Sequence, residues 1–194
     1  QGYSSAASDV YKRQIPGCEL ISVEKMQSTQ AMRAIAEHSD KTYTLLYTKH
    51  TALKIGMFAL ERMVQIMGMT QAGMVYADHY QQMDSVQKPA PVIDYQFGSL
   101  RDDFNFGSVL LFNANVFKEV IENTEEEYQY AGLYDLRLKI SQKSKLVHIN
   151  EYLYTEVESD KRESGEKQFD YVDPKNRQVQ IEICLLYTSD AADE

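Results

Sequence analysis

The sequence predicts an α/β domain with a mostly parallel, twisted sheet and helices on both faces. Short apolar runs, rich in β-branched and aromatic residues, alternate with amphipathic segments along the chain. Strands that alternate with helices usually form parallel sheets that are covered on both sides. With 43% hydrophobic and 25% charged residues, the 194-residue chain can bury one core.

Both ends of the chain are expected to be foreign to the natural protein. One stretch of DNA can encode residues 4–14, and its reverse complement, read in a shifted frame, encodes residues 184–194. That DNA resembles a transposase adapter used to prepare sequencing libraries. We therefore expect residues 1–14 and 184–194 to be adapter-derived, residues 15–158 to form a domain that is incomplete at its N-terminal side, and residues 159–183 to be a polar linker or surface loop.

Charge and cysteine content exclude several classes of protein. The net charge of −9 argues against a general nucleic-acid binder, because binding to phosphates needs clustered Lys and Arg. Cys18 is the one cysteine between the two expected adapter segments, so the sequence offers no disulfide framework there. No apolar run approaches the roughly 20 residues that cross a bilayer. These features are typical of a cytoplasmic protein.

The first half of the chain predicts alternating strands and helices. Apolar residues recur at spacings of three and four between positions 53 and 67, which predicts the clearest helix of the sequence. Ser28 is placed to cap an earlier helix. The elements expected here are a strand at 19–23, a helix at 28–38, a strand at 42–47, a helix at 53–67 and a strand at 74–80.

The second half continues the alternation after a turn-rich crossing. Pro89 and Pro91 predict a loop or hairpin tip over residues 83–91, and Asn113 can cap a helix. The elements expected here are a strand at 109–112, a helix after Asn113, a helix at 128–140, and two strands at 145–149 and 152–156.

Charged side chains follow the expected strands at several successive positions. The carboxyl ends of parallel strands open onto a crevice where ligands bind, so these side chains indicate a nucleotide-sugar or carbohydrate site. Structural roles also fit them: Asp78 could cap a turn, His79 could be packed, and residues 101–103 could form a solvated turn. The residues expected to bind substrate are Lys49, His50, Asp78, His79 and Arg101.

Four short motifs, taken in order, resemble those of one family. They are Tyr76-Ala77-Asp78-His79, Tyr134-Asp135-Leu136, His148-Ile149 and Leu153-Tyr154. Over about residues 26–158 the chain resembles the second half of a GT-A type, family-two glycosyltransferase. The resemblance implies a GT-A-like fold and transfer of a sugar from a nucleotide-sugar donor to a glycan or lipid-linked acceptor. Asp102, Asp103 and Asp135 are the predicted catalytic carboxylates, although Asp135 also fits a structural pair with Lys139 one helical turn away.

The sequence departs from the family at two functional positions. Residues 48–51 stand where the family carries the Asp-x-Asp that holds Mg²⁺ or Mn²⁺, so no metal ligands are predicted and a requirement for Mg²⁺ or Mn²⁺ is left open, while Lys49 could itself neutralise phosphate charge. Gly132-Leu133 stands where the family carries its general base. The alternative is therefore a non-catalytic GT-A-like domain, which binds acceptor or packs on a separate catalytic glycosyltransferase domain.

Overall fold

A six-stranded mixed sheet forms the centre of the molecule. The computed structural model describes residues 21–83, 85–98, 104–158 and 177–190. Five strands lie in the order β1-β5-β3-β6-β2, and β4 pairs with β3 as a hairpin. The strands are β1 (Tyr43–Tyr47), β2 (Ala52–Ile55), β3 (Met74–Met83), β4 (Val86–Ala90), β5 (Val109–Asn113) and β6 (Leu146–Glu158).

Helices cover both faces of this sheet, as expected. Their bounds are α1 (Thr29–His38), α2 (Ala59–Thr70), α3 (Ala114–Glu122), α4 (Gly132–Lys143) and α5 (Arg177–Asp190). Both expected caps are confirmed: Ser28 Oγ accepts from Ala31 N at 3.0 Å, and Asn113 Oδ1 accepts from Asn115 N at the same distance. Each cap satisfies a backbone N–H that has no partner within its helix.

The alternation of side chains along β3 divides the core into two parts. Met74 and Tyr76 pack in a cluster with α1, α3 and α4, whereas Val75 and Ala77 pack in a second cluster with α2. Successive residues of a strand point to opposite faces, so a central strand that is covered on both sides is apolar throughout. We call these the α1/α3/α4 face and the α2 face.

The expectation of a mostly parallel sheet is wrong. β3 is parallel only to β6, whereas the β1–β5, β5–β3, β3–β4 and β2–β6 pairs are antiparallel. The fold class is α/β with a mixed sheet. A strand buried on both faces has the same apolar sequence in either orientation, so the sequence pattern did not reveal strand direction.

Several boundaries also differ from the expectation. Residues 52–55 form β2 and the helix begins at Ala59, while the two C-terminal strands are one continuous β6. Residues 21–23 are not in a strand, and residues 177–183, expected in a linker or loop, belong to α5. In the part of the chain that the structure describes, no helix has the length and apolar character needed to cross a membrane.

Candidate functional site

Asp78 is a buried carboxylate on the central strand β3. Its side chain is only 2% exposed. Its Oδ1 atom accepts a hydrogen bond from Val92 N at 2.8 Å and lies 2.9 Å from Nε2 of His148. A carboxylate removed from water needs such partners, because burying an unpaired charge is costly.

His148 joins this buried carboxylate to an exposed one. The parallel pairing places His148 opposite Tyr76 on β3, on the same face of the sheet as Asp78. Its Nδ1 atom lies 2.7 Å from Oδ1 of Asp94, whose side chain is 82% exposed. The three side chains form what we call the Asp78–His148–Asp94 bridge, which connects solvent to the buried carboxylate through one imidazole ring. Such an arrangement can carry a proton between its ends and can fix the orientation of Asp94.

An irregularity of the sheet occurs next to Asp78. The register of β3 against β6 shifts between Ala77 and Asp78 and again between Asp78 and His79, so that Asp78 is opposite Tyr152. Bulges of this kind are frequent beside functional sites, because they change the direction of a side chain and end regular pairing. The bridge therefore lies where the regular β3–β6 ladder is interrupted.

An aromatic cluster surrounds the bridge on the α1/α3/α4 face. It consists of Tyr76, Tyr95, Phe104 and Phe106. The Tyr76 ring stacks on His148 at 5.1 Å and meets Phe106 edge to face at 4.8 Å. The Tyr76 hydroxyl donates to Ile93 O and accepts from Tyr95 N, and burial raises the pKa of Tyr76 to about 12. Tyr76 therefore holds the segment carrying Asp94 against the sheet.

Arg137 of α4 lies over this cluster. Its guanidinium carbon is 5.1 Å from the centre of the Phe106 ring, and its buried Nε atom has no hydrogen-bond partner among the described residues. Burial lowers the pKa of Arg137 to about 10. Arg137 is not among the site residues predicted from the sequence. Helical spacing could have found it, because Arg137 lies one turn after Leu133 and one turn before Ile140, both of which are buried.

His79 lies on the opposite face of the sheet from Asp78. It stacks on Tyr154 at 5.1 Å, and its Nε2 atom is 3.5 Å from Oε1 of Glu156. Glu156 is 1% exposed and also pairs with Lys49. His79 and the half-buried Lys49, both expected to bind substrate, therefore meet at the buried carboxylate of Glu156 on the α2 face.

Tyr154 connects this ionic cluster to the start of β5. Its hydroxyl accepts from Ser108 N at 3.0 Å and from Val109 N at 3.4 Å. Burial raises the pKa of Tyr154. A Cβ atom at the neighbouring Gly107 would lie 2.2 Å from the Tyr154 hydroxyl oxygen, and the φ of Gly107 is +74°. Only glycine fits both the conformation and the space at this position.

The remaining predicted site residues have different environments. His50 is exposed on the turn between β1 and β2. Asp135 is 7% exposed and pairs with Lys139 at 2.9 Å, which confirms the expected contact one helical turn away. Arg101, Asp102 and Asp103 lie outside the described residues.

The described residues do not fit a resident divalent cation. Across residues 21–83, 85–98, 104–158 and 177–190, no three His, Cys, Asp or Glu side chains are grouped as metal ligands. Oδ1 of Asp78 already faces Val92 and His148. Magnesium and manganese prefer several oxygen ligands from carboxylates, carbonyls or waters.

No protein-family model and no curated protein matches this chain.

Proposed function

We propose that this chain is part of a cytoplasmic glycosyltransferase with a GT-A-like sheet. It would transfer a sugar from a nucleotide-sugar donor to a glycan or lipid-linked acceptor. The contact between Asp78 and His148 carries the proposal. These residues belong to two of the motifs that resemble family-two glycosyltransferases, and they are 70 positions apart and meet at 2.9 Å.

The bridge and the aromatic cluster offer the groups that recognise sugars. Asp94 presents exposed carboxylate oxygens, which accept hydrogen bonds from hydroxyl groups. Tyr95 and Phe104 are half-buried and present ring surface on the same face of the sheet. Ligand sites commonly combine aromatic walls with a few well-placed polar groups. This combination supports a carbohydrate ligand.

Sugar transfer needs a general base, and the Asp78–His148–Asp94 bridge can supply it. An acceptor oxygen forms a bond to the anomeric carbon of the donor while the bond from that carbon to the phosphate oxygen breaks, and the electron pair leaves with the diphosphate. The acceptor hydroxyl must lose its proton to a base. We assign that role to Asp94, which is exposed and is oriented by His148. Asp135, the carboxylate predicted for catalysis at the start of α4, is buried and paired with Lys139.

Calorimetry with nucleotide sugars tests this proposal. The 194-residue chain would be titrated with a panel of UDP- and GDP-sugars, with and without Mn²⁺. We expect binding of at least one donor and weaker binding by the His148→Leu variant, which frees Asp94. The His38→Leu variant, at an exposed position at the end of α1, is the matched control. If no donor binds under any condition, the enzyme proposal fails.

Two ion pairs favour a second candidate function. Lys49 pairs with the buried Glu156, and Asp135 pairs with Lys139. Lys49 and Asp135 were both expected to act on substrate, and both instead form ion pairs with other residues of the chain. A non-catalytic GT-A-like domain that binds acceptor beside a separate catalytic domain is compatible with this. Binding of a glycan without any donor, together with a complete Asp-x-Asp motif elsewhere in the parent gene, would favour this second function.

A further inference from the structure

Arg137 differs from two other described arginines in its electrostatic environment. Arg33 pairs with Glu127, and Arg62 makes a bidentate pair with Glu151 at 2.6 to 3.3 Å. No carboxylate among the described residues forms an ion pair with Arg137, and its guanidinium lies over the face of the Phe106 ring.

The environment of Arg137 is energetically costly without a partner. The residue as a whole is half-buried, but its Nε–H group is removed from solvent and donates to no acceptor among the described residues. A guanidinium carries five donors in a planar fork that matches a carboxylate, and buried donors in native proteins nearly always have partners. With a pKa of about 10, the side chain still carries its positive charge at neutral pH. An anionic group of a ligand would satisfy it.

The neighbouring side chains indicate which anion fits. Tyr95 and Phe104 contact Phe106, at 6.4 and 4.5 Å between ring centres, and both are half-buried. Asp78 and Asp94 add negative charge to the same face of the sheet. One guanidinium balances the single charge of one carboxylate, whereas a diphosphate would leave excess negative charge beside these aspartates, so the diphosphate of a nucleotide-sugar donor is expected to lie away from Arg137.

We propose that Arg137 binds the carboxylate of an acidic sugar, and that Tyr95 and Phe104 contact the ring of that sugar. The carbohydrate part of this inference rests on the proposed function. The ligand on the α1/α3/α4 face would then be a uronate-like sugar. Its carboxylate would accept two parallel N–H···O bonds from Arg137.

Ligand titration with matched sugars tests this inference. The 194-residue chain would be titrated with glucuronate, its uncharged methyl ester, glucose and inorganic pyrophosphate, with binding followed by calorimetry and thermal unfolding. We expect glucuronate to bind and to raise the Tm, and the ester and glucose to bind roughly tenfold or more weakly, because each lacks the charge-assisted hydrogen bonds.

Two substitutions separate ligand binding from a structural role. Arg137→Met keeps the length and apolar contacts of the side chain. We expect it to abolish the preference for glucuronate over its ester and, without ligand, to leave the Tm unchanged or raised, because a half-buried guanidinium whose buried Nε has no described partner is removed. Arg137→Lys keeps the charge without the planar fork and is expected to bind glucuronate more weakly than the unmodified chain. Arg62→Met, which removes a paired and more exposed arginine, is the control and should keep the preference.

Three results would overturn the inference. They are equal binding of glucuronate and its ester, tighter Arg137-dependent binding of pyrophosphate than of glucuronate, and a large loss of Tm in Arg137→Met without any effect on ligand preference. The last result would assign Arg137 to packing on Phe106. Nucleotide-sugar binding is measured separately, so loss of the glucuronate preference with donor binding intact would leave the proposed function standing.

Discussion

The Oδ1 atom of Asp78 lies 2.9 Å from Nε2 of His148, although the two residues come from different strands and are 70 positions apart. Their strands are parallel neighbours, and a register shift occurs at Asp78. The other nitrogen of the same ring lies 2.7 Å from Asp94. One imidazole ring therefore links a buried carboxylate to an exposed one.

Removal of the imidazole should destabilise the fold. In His148→Leu, Asp78 keeps only its bond from Val92 N and becomes a poorly compensated buried charge. Breaking a buried charged pair costs about 3 kcal/mol, so we expect a loss of that order in the free energy of unfolding. Urea denaturation at neutral pH measures it, with an unchanged m-value. His50→Leu on the exposed turn should stay within about 0.5 kcal/mol of the unmodified chain. Equal stability of the two variants would contradict a stabilising bridge.

Removal of Lys49 should expose the cost of burying Glu156. Glu156 is 1% exposed and pairs with Lys49 and His79. We expect Lys49→Met to lower the free energy of unfolding by about 3 kcal/mol, because it leaves the carboxylate poorly compensated. Adding Glu156→Gln should recover part of that loss, since the charge is then absent.

The control for this pair is Lys54→Met. Lys54 is exposed and hydrogen-bonds Gln82 at the sheet edge, so its loss should be nearly neutral. If Lys49→Met leaves stability unchanged but weakens nucleotide-sugar binding, the stability prediction is wrong. Lys49 then acts as a phosphate ligand, as the sequence predicts.

Local patterns in the sequence predicted the elements that depend on local physics. The apolar run that begins at Met74, the cap at Ser28 and the cap at Asn113 are confirmed, because each depends on neighbouring residues. The i,i+4 contact between Asp135 and Lys139 is confirmed for the same reason. Strand direction and pairing are long-range properties, and an apolar run does not encode them.

The candidate site was predicted only in part. Asp78 was identified, but its partners His148 and Asp94 come from β6 and from the segment after β4, and their approach depends on the pairing of strands. The period of two along a strand could have separated Asp78 from His79, since adjacent residues face opposite sides. Arg137 was missed because an arginine beside leucines in a helix usually lies at the edge of the buried face with its charge in solvent.

Alanine at Gly107 should cost more than alanine at Gly98. Both glycines have positive φ, at +74° and +80°, but a Cβ at Gly107 would lie 2.2 Å from the Tyr154 hydroxyl oxygen, whereas a Cβ at Gly98 would have no atom of the described residues within 4 Å. We expect about 1 kcal/mol for Gly98→Ala from backbone strain alone. Gly107→Ala should cost at least about 2 kcal/mol, since the Tyr154 hydroxyl must also leave Ser108 N. Thermal unfolding of the two variants would show the difference, and equal losses would mean that Tyr154 moves aside without penalty.

The phenol of Tyr76 should make stability depend on pH in alkaline solution. Burial raises the pKa of Tyr76 from 10.0 to about 12, so the folded state favours the neutral phenol. This contribution to the free energy of unfolding is fully present below pH 10 and is lost as the pH rises through about 12, because the unfolded chain releases the proton first.

The Tyr76→Phe variant measures this contribution. At neutral pH it should cost about 1–3 kcal/mol, since Tyr95 N and Ile93 O lose their partner. Between pH 10 and 12, the unmodified chain should lose on the order of 2 kcal/mol more than Tyr76→Phe. Parallel pH curves for the two proteins would show that this phenol is not protected, and Tyr152→Phe, at an exposed ring, controls for the loss of a phenol.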